Sequence, residues 1–193
     1  MYKKSHQALG THLAQAYLHH APATHIRAFL TGCIQPDKNP TTYLKGSLRQ
    51  NWMKGHNFSN SRRYMSRLIR RLSRQRQWNM LDYYALGKLL HYTADAFTGA
   101  HTPQFQGNLF THRAYEKQLH RQILDLLFSP VLPHFPCHRE LICTISSHHR
   151  HYRNLPMDPA TDARYCIGIS RMVMKVLTSQ QAANSKKHPV CSR

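Results

Sequence analysis

The stretch "LLHYTADAFTGAHTPQF" (residues 89–105) decides the fold. Leu81, Ala85, Leu89, Tyr92 and Ala96 recur at helical spacing, and Leu86, Leu90 and Phe97 widen the stripe around the helix. An element apolar over so much of its circumference belongs at the centre of a helical domain. Gly99 is a natural terminator, so the spacing predicts a helix over about 81–98. Yet this helix carries His91 and Asp95 one turn apart, with His101 just past its end. A core excludes such groups unless they pair with each other or hold a third body.

Working outward, Leu9, Leu13, Ala16 and Tyr17 predict a first helix, with His12 read onto the same side. A second is expected from Ala23 to Gly32, stopped by "GCIQPDKNP", where Gly32, Pro36 and Pro40 mark a loop. Asn60 or Ser61 is placed to cap a third, and Thr111 to cap a helix reaching about Phe128. "SPVLPHFPC" reads as a crossing loop before helices near 138–152 and 160–178. Neither an alternating strand nor an internal repeat is apparent. The expected architecture is all-α: a single-domain helical bundle over residues 1–180, with 181–193 as a flexible basic tail.

A chain of 193 residues suits one domain with a real core. Lys and Arg total 27 against 8 Asp and Glu, a formal charge of +19 that favours polyanions. Five scattered Cys without a Cys-x-x-Cys pair argue against a disulfide framework or a thiolate zinc site. The basic start lacks an apolar signal segment and no run reaches membrane-spanning length, so a cytoplasmic location is expected.

"SRRYMSRLIRRLSRQRQ" (residues 61–77) carries seven Arg and no acid. Tyr64, Met65, Leu68, Ile69 and Leu72 make one face; Arg63, Arg67, Arg70 and Arg74 make the other. The basic face is either simply solvated or turned toward phosphates, those of an anionic membrane or of a single-stranded nucleic acid. Arg in place of Lys favours bidentate phosphate contacts. Nothing in the sequence requires a protein partner.

His91 and Asp95 share a helix face, and His112 and Glu116 repeat the arrangement on the following helix. Such nitrogen and oxygen atoms suit zinc. Composition alone gives about 0.7 His-x-x-x-acid pairs, so two pairs are weak evidence, and a buried His–Asp hydrogen bond would satisfy both groups without metal. Order adds to the case: "THLA" (His12), "PDKNP" (Asp37), "GHNFSN" (His56), "HYTAD" (His91, Asp95), "AHTPQF" (His101) and "HRAYE" (His112, Glu116) form one series.

That series, with "FLTGCIQPD" before its first carboxylate, resembles the bacterial zinc-dependent phospholipase C family, whose helical fold is shared with single-strand-specific fungal zinc nucleases. The resemblance spans residues 12–116 and implies a multi-zinc cleft with two or three ions. Asp37, His56, His91 and Asp95 would hold one; His101, His112 and Glu116 a second; His12 and the bridging Asp95 a third. Family members complete the third site with the amine and carbonyl of an amino-terminal Trp, whereas this chain has Met1, eleven residues before His12. Either Met1 supplies those atoms, or trimming exposes another residue, or the site is weak. His19, His20 and His25 are further candidates to replace His12. Asp37 is the candidate general base, its alternative a pure ligand role.

The leading expectation is a zinc-dependent phosphodiesterase that cleaves glycerophospholipids to diacylglycerol and a phosphorylated headgroup. The alternatives are a single-strand nuclease on the same fold and a non-enzymatic basic module. His148, His149 and His151 read as surface residues flanked by Arg150 and Arg153; Tyr83, Tyr84, Tyr92, Trp52 and Trp78 read as packing or cleft-edge groups.

Overall fold

The computed structural model describes residues 1–38, 58–102, 104–137 and 140–186. Among these, seven α-helices and a 3₁₀ turn account for the regular structure: α1 (Lys3–Tyr17), α2 (Ala23–Lys38), α3 (Phe58–Arg74), α4 (Met80–Ala96), the turn Gly99–His101, α5 (Leu109–Leu127), α6 (Leu141–Tyr152) and α7 (Pro159–Lys186). The all-α expectation holds. His56, Trp52 and Cys191 lie outside the described residues.

The all-round apolarity of α4 puts it in the middle, packed against α1, α2, α3 and α7. Leu86, Leu89, Ala94 and Phe97 are fully enclosed, and so are His91, Thr93 and Asp95 to within 1 %. Its start is fixed by a reciprocal cap. The Asn79 side chain accepts from Leu81 and Asp82 N–H while the Asp82 carboxylate accepts from Asn79 N–H. Arg71 of α3 donates to the same buried carboxylate at 2.8 and 2.9 Å, so one Arg of the basic helix serves the fold.

Gly32 does not end α2. A Cβ there would collide with the Tyr84 carbonyl oxygen, and one at Gly87 with the Phe29 carbonyl oxygen. The two glycines let the backbones of α2 and α4 touch, a close-approach role in place of the expected stop. Pro36 sits inside the last turn of α2, where its missing N–H withdraws one hydrogen bond but the helix runs on to Lys38. Asp37 is therefore helical and held beside α4.

Other boundaries differ for local reasons. Asn108, not Thr111, caps α5, its side chain accepting from Phe110 and Thr111 N–H. α3 begins at Phe58, so Asn60 and Ser61 lie inside its first turn. α7 continues past 178 to Lys186 because Asn184 and Ser185 donate to the Ser73 and Arg76 carbonyls, docking residues the sequence assigned to a tail. Among the described residues no helix is long and apolar enough to cross a membrane.

Candidate metal centre

α1, α2, α4, the 3₁₀ turn and α5 converge their polar side chains around Asp95. Its Oδ2 lies 3.1 Å from His91 Nε2, and His91 Nε2 lies 3.6 Å from Asp37 Oδ1. On the other side, Oδ1 lies 3.2 Å from His6 Nε2, 3.0 Å from the Met1 amine and 3.4 Å from His101 Nδ1. Beyond it, Glu116 Oε1 gathers the Met1 amine at 3.0 Å, His101 Nε2 at 3.4 Å and His112 Nε2 at 3.7 Å. Two sets of side chains each bring their donor atoms within 4.8 Å of one another: His6, Asp37, His91 and Asp95; and His101, His112 and Glu116.

Of the residues expected from sequence, Asp37, His91, Asp95, His101, His112 and Glu116 are thus brought together. His12 is not in either set. It is partly exposed on α1, its imidazole pKa lowered by burial and by the nearby Arg171 guanidinium. His6 stands where His12 was expected, stacked on the His91 ring at 3.9 Å between centroids. The signal for His6 was in the sequence. At about 100° per residue, His6 lies about 35° from the centre of the Leu9, Leu13, Ala16, Tyr17 stripe and His12 about 85°. The buried face of α1 is indeed Ser5, His6, Leu9, Gly10, Leu13 and Ala14.

Whether a cation fits can be judged from the tautomer of His91. Its Nδ1 lies 3.0 Å from the Cys33 carbonyl oxygen, which can only accept, so Nδ1 carries the hydrogen. In the neutral ring Nε2 then presents its lone pair to Asp95 Oδ2 and Asp37 Oδ1. Acceptor facing acceptor is repulsive unless a proton or a metal cation stands between, and this pocket of donors has room for either. The spacing agrees: tetrahedral zinc with bonds of about 2.0–2.1 Å separates neighbouring ligand atoms by about 3.4 Å, close to the 3.1–3.7 Å between these His nitrogens and carboxylate oxygens. The residues fit zinc.

Protonation favours the same conclusion. Burial and the neighbouring His91 push the His6 imidazole down to about 3, and burial and the Met1 amine push His101 down, leaving both neutral. Burial alone would raise the Asp95 carboxyl, but the Met1 amine and the surrounding imidazoles outweigh it and hold Asp95 well below the usual range. Glu116 behaves alike: burial opposes, while the His101 hydrogen bond and the Met1 amine bring it to about 2. Burial would lower the amine too, yet Asp95 and Glu116 hold it at about 10. Neutral imidazoles with ionised carboxylates are the ligand states a divalent cation requires.

Two supports were not legible in the sequence. Tyr2 donates to the Arg113 carbonyl at 2.8 Å and Ser5 meets His120 Nδ1 at 2.9 Å, pinning the start of α1 to α5 so that Met1 reaches Glu116. Asp162, at 0 % exposure on α7, accepts from Gly99 N–H at 2.6 Å, Tyr115 OH at 2.8 Å and Tyr152 OH at 2.5 Å. It ties down the turn that carries His101. A side chain at Gly99 would meet Met157 at 2.6 Å and the Tyr115 hydroxyl at 2.7 Å, so that position has no room for one.

The residues set aside from sequence mostly pack. Trp78 is buried and donates to the Leu72 carbonyl at 3.0 Å, and Tyr92 is 2 % exposed. His149 differs from its surface reading: it is half-buried, stacked on Phe58 at 4.1 Å, its imidazole lowered to about 4 by burial and Arg153.

The family model described as zinc-dependent phospholipase C matches residues 5–170. No curated protein and no solved structure matches the chain. With the match covering most of the sequence, the chain belongs to the zinc-dependent phospholipase C family.

Proposed function

We propose that this protein hydrolyses the phosphodiester of glycerophospholipids, releasing diacylglycerol and a phosphorylated headgroup. The carrying observation is His91, whose Nδ1 is engaged by the Cys33 carbonyl and whose Nε2 is left facing the Asp95 and Asp37 carboxylates. In this reading Asp37, His91 and Asp95, completed by His56, hold one zinc ion. His101, His112 and Glu116 hold a second, and His6, Asp95 and the Met1 amine hold a third, zinc displacing the proton that the amine otherwise keeps up to about pH 10. Bound there, zinc supplies a water acidic enough to attack near neutral pH and positive charge for the phosphate oxygens.

The chain's own groups do the rest. Asp37 keeps 18 % side-chain exposure where Asp95 has none, so Asp37 is the carboxylate of its set that meets incoming water and takes its proton. Asp95, with one oxygen toward His91 and the other toward His6 and the Met1 amine, holds the two halves of the site at fixed spacing. Cys33, through its carbonyl, holds the His91 ring in register.

The test is hydrolysis of phosphatidylcholine vesicles with metal content measured in parallel. His91→Ala and Asp95→Ala are expected to lose both turnover and zinc, and full activity in metal-stripped protein would overturn the reading. A second reading, single-strand nucleic acid cleavage at the same site, is favoured by the exposed row Arg63, Arg67, Arg70 and Arg74 on α3. Salt-sensitive cleavage of single-stranded DNA without lipid hydrolysis would put it first.

A further inference from the structure

We infer that the amino-terminal half of α5 is a docking face for an anionic phospholipid surface. The inference rests on the lipid reading of the adjoining site. Leu109 is 61 % exposed and Phe110 80 %, two consecutive large apolar side chains offered to water on the first turn of α5. Such exposure on a helix that also carries site residues marks a contact surface.

The helix geometry says which way they face. Successive residues turn about 100°, so with Leu109 as origin Arg113, Lys117 and Phe110 lie about 40°, 80° and 100° round, and Arg121 about 120°. His112 and Glu116 lie about 60° and 20° in the opposite sense. One arc of α5 thus holds the candidate ligands, and the adjoining arc holds two apolar groups at the helix tip followed by three exposed cations. Met157, 39 % exposed, adds a further apolar side chain next to the Gly99 turn. Apolar tips with a row of Arg and Lys behind them match an acyl boundary beneath anionic headgroups, where each cation within the surface potential adds to binding.

Charge complementarity selects that occupant: the chain is +19, and no acid lies among the exposed residues of this arc from 109 to 121. The Arg-rich α3 is the poorer candidate. None of its large apolar side chains is strongly exposed. Three of its Arg are engaged within the protein: Arg71 by Asp82, Arg62 by the Ser146 hydroxyl at 3.2 Å and Arg67 over the Tyr64 ring at 5.7 Å.

The experiment is co-sedimentation of the zinc-loaded full chain with phosphatidylcholine vesicles, with and without phosphatidylserine. It compares wild type, the double variant L109S/F110S, R113E/K117E, and two controls: R63E/R70E on α3 and F128S at the far end of α5. Thermal melts of each variant confirm folding. Loss of about tenfold or more in vesicle binding by the two α5 variants, but not the controls, is expected. Turnover of a monomeric short-chain phosphodiester should remain unchanged in L109S/F110S. Undiminished binding in both α5 variants, or an equal loss in R63E/R70E or F128S, overturns the inference. If the α5 variants lose vesicle binding while wild type hydrolyses neither lipid nor short-chain substrate, the docking face stands and the proposed activity falls.

Discussion

Asp162 offers the sharpest test of how the site is held, because its carboxylate is wholly buried and supports the turn bearing His101. Burial raises its pKa from 3.8 to about 6, against the opposing pull of Tyr152, Gly99 and Tyr115 hydrogen bonds. In acid the folded and unfolded chains both carry the proton, and above about pH 6 both have lost it. Between 3.8 and about 6 the folded protein keeps a proton that the unfolded chain has released. The associated stability is therefore fully present below 3.8 and declines as pH rises through about 6, a total of about 3 kcal/mol. Asp162→Asn removes this titration. Its amide oxygen can accept from Gly99 and Tyr115, while its NH2 faces the Tyr152 hydroxyl, which then accepts in place of donating. Urea unfolding of wild type and variant at several pH values from 4 to 7.5, with zinc held in excess, cancels the titrations the two share. D162N is expected to gain on wild type by about 2.4 kcal/mol across that window. A difference that stays level, or that moves the other way, would refute the assignment of a strained, ionised carboxylate beneath the His101 turn.

Four further outcomes are expected. His6→Ala should lower zinc content and weaken zinc binding by at least about tenfold, whereas His12→Ala should do neither, as measured by elemental analysis and chelator competition. Acetylating the Met1 amine, or adding one residue before it, should reduce bound zinc, with mass spectrometry confirming the modification, because that nitrogen sits 3.0 Å from both Asp95 and Glu116. Gly87→Ala should destabilise the fold by about 1–3 kcal/mol in denaturant titration, since its Cβ would press on the Phe29 carbonyl oxygen and α2 must back away from α4. Removing metal with a chelator should lower the melting temperature, and restoring zinc should recover it.

How much of this was legible depended on how local each signal is. The helices were readable because α3 writes its burial into a 3.6-residue period and α4 is apolar almost all the way round. His91 with Asp95 and His112 with Glu116 were readable because each pair lies on one face of one helix. The ends were harder: Gly32 has the composition of a stop but serves a contact with α4, a partner about fifty residues on that no local pattern reveals. His6, not His12, lies on the face of α1 that Leu9 and Leu13 bury. Asp162 gave no signal at all, since its partners stand 10, 47 and 63 residues away and only the packing of α7 beside the Gly99 turn brings them together.

The distribution of the eight acids explains how so basic a protein can offer a cation site. Asp82, Asp95, Glu116 and Asp162 are buried, and Asp37 is mostly enclosed; among the described acids, Asp125 and Glu140 are exposed and Asp158 is partly so. The negative charge is concentrated inside and the positive charge outside. Surface Lys and Arg are screened over about 8 Å by physiological salt, while charges in the low-dielectric interior act on close neighbours with little screening. A divalent cation placed between the ligand sets therefore meets Asp37, Asp95 and Glu116 at close range. An anionic substrate experiences the opposite sequence, first attracted by the exterior and then repelled by those same carboxylates. In the proposed reaction, filling the ligand sets with cations would remove that repulsion and make metal binding a precondition of phosphate binding.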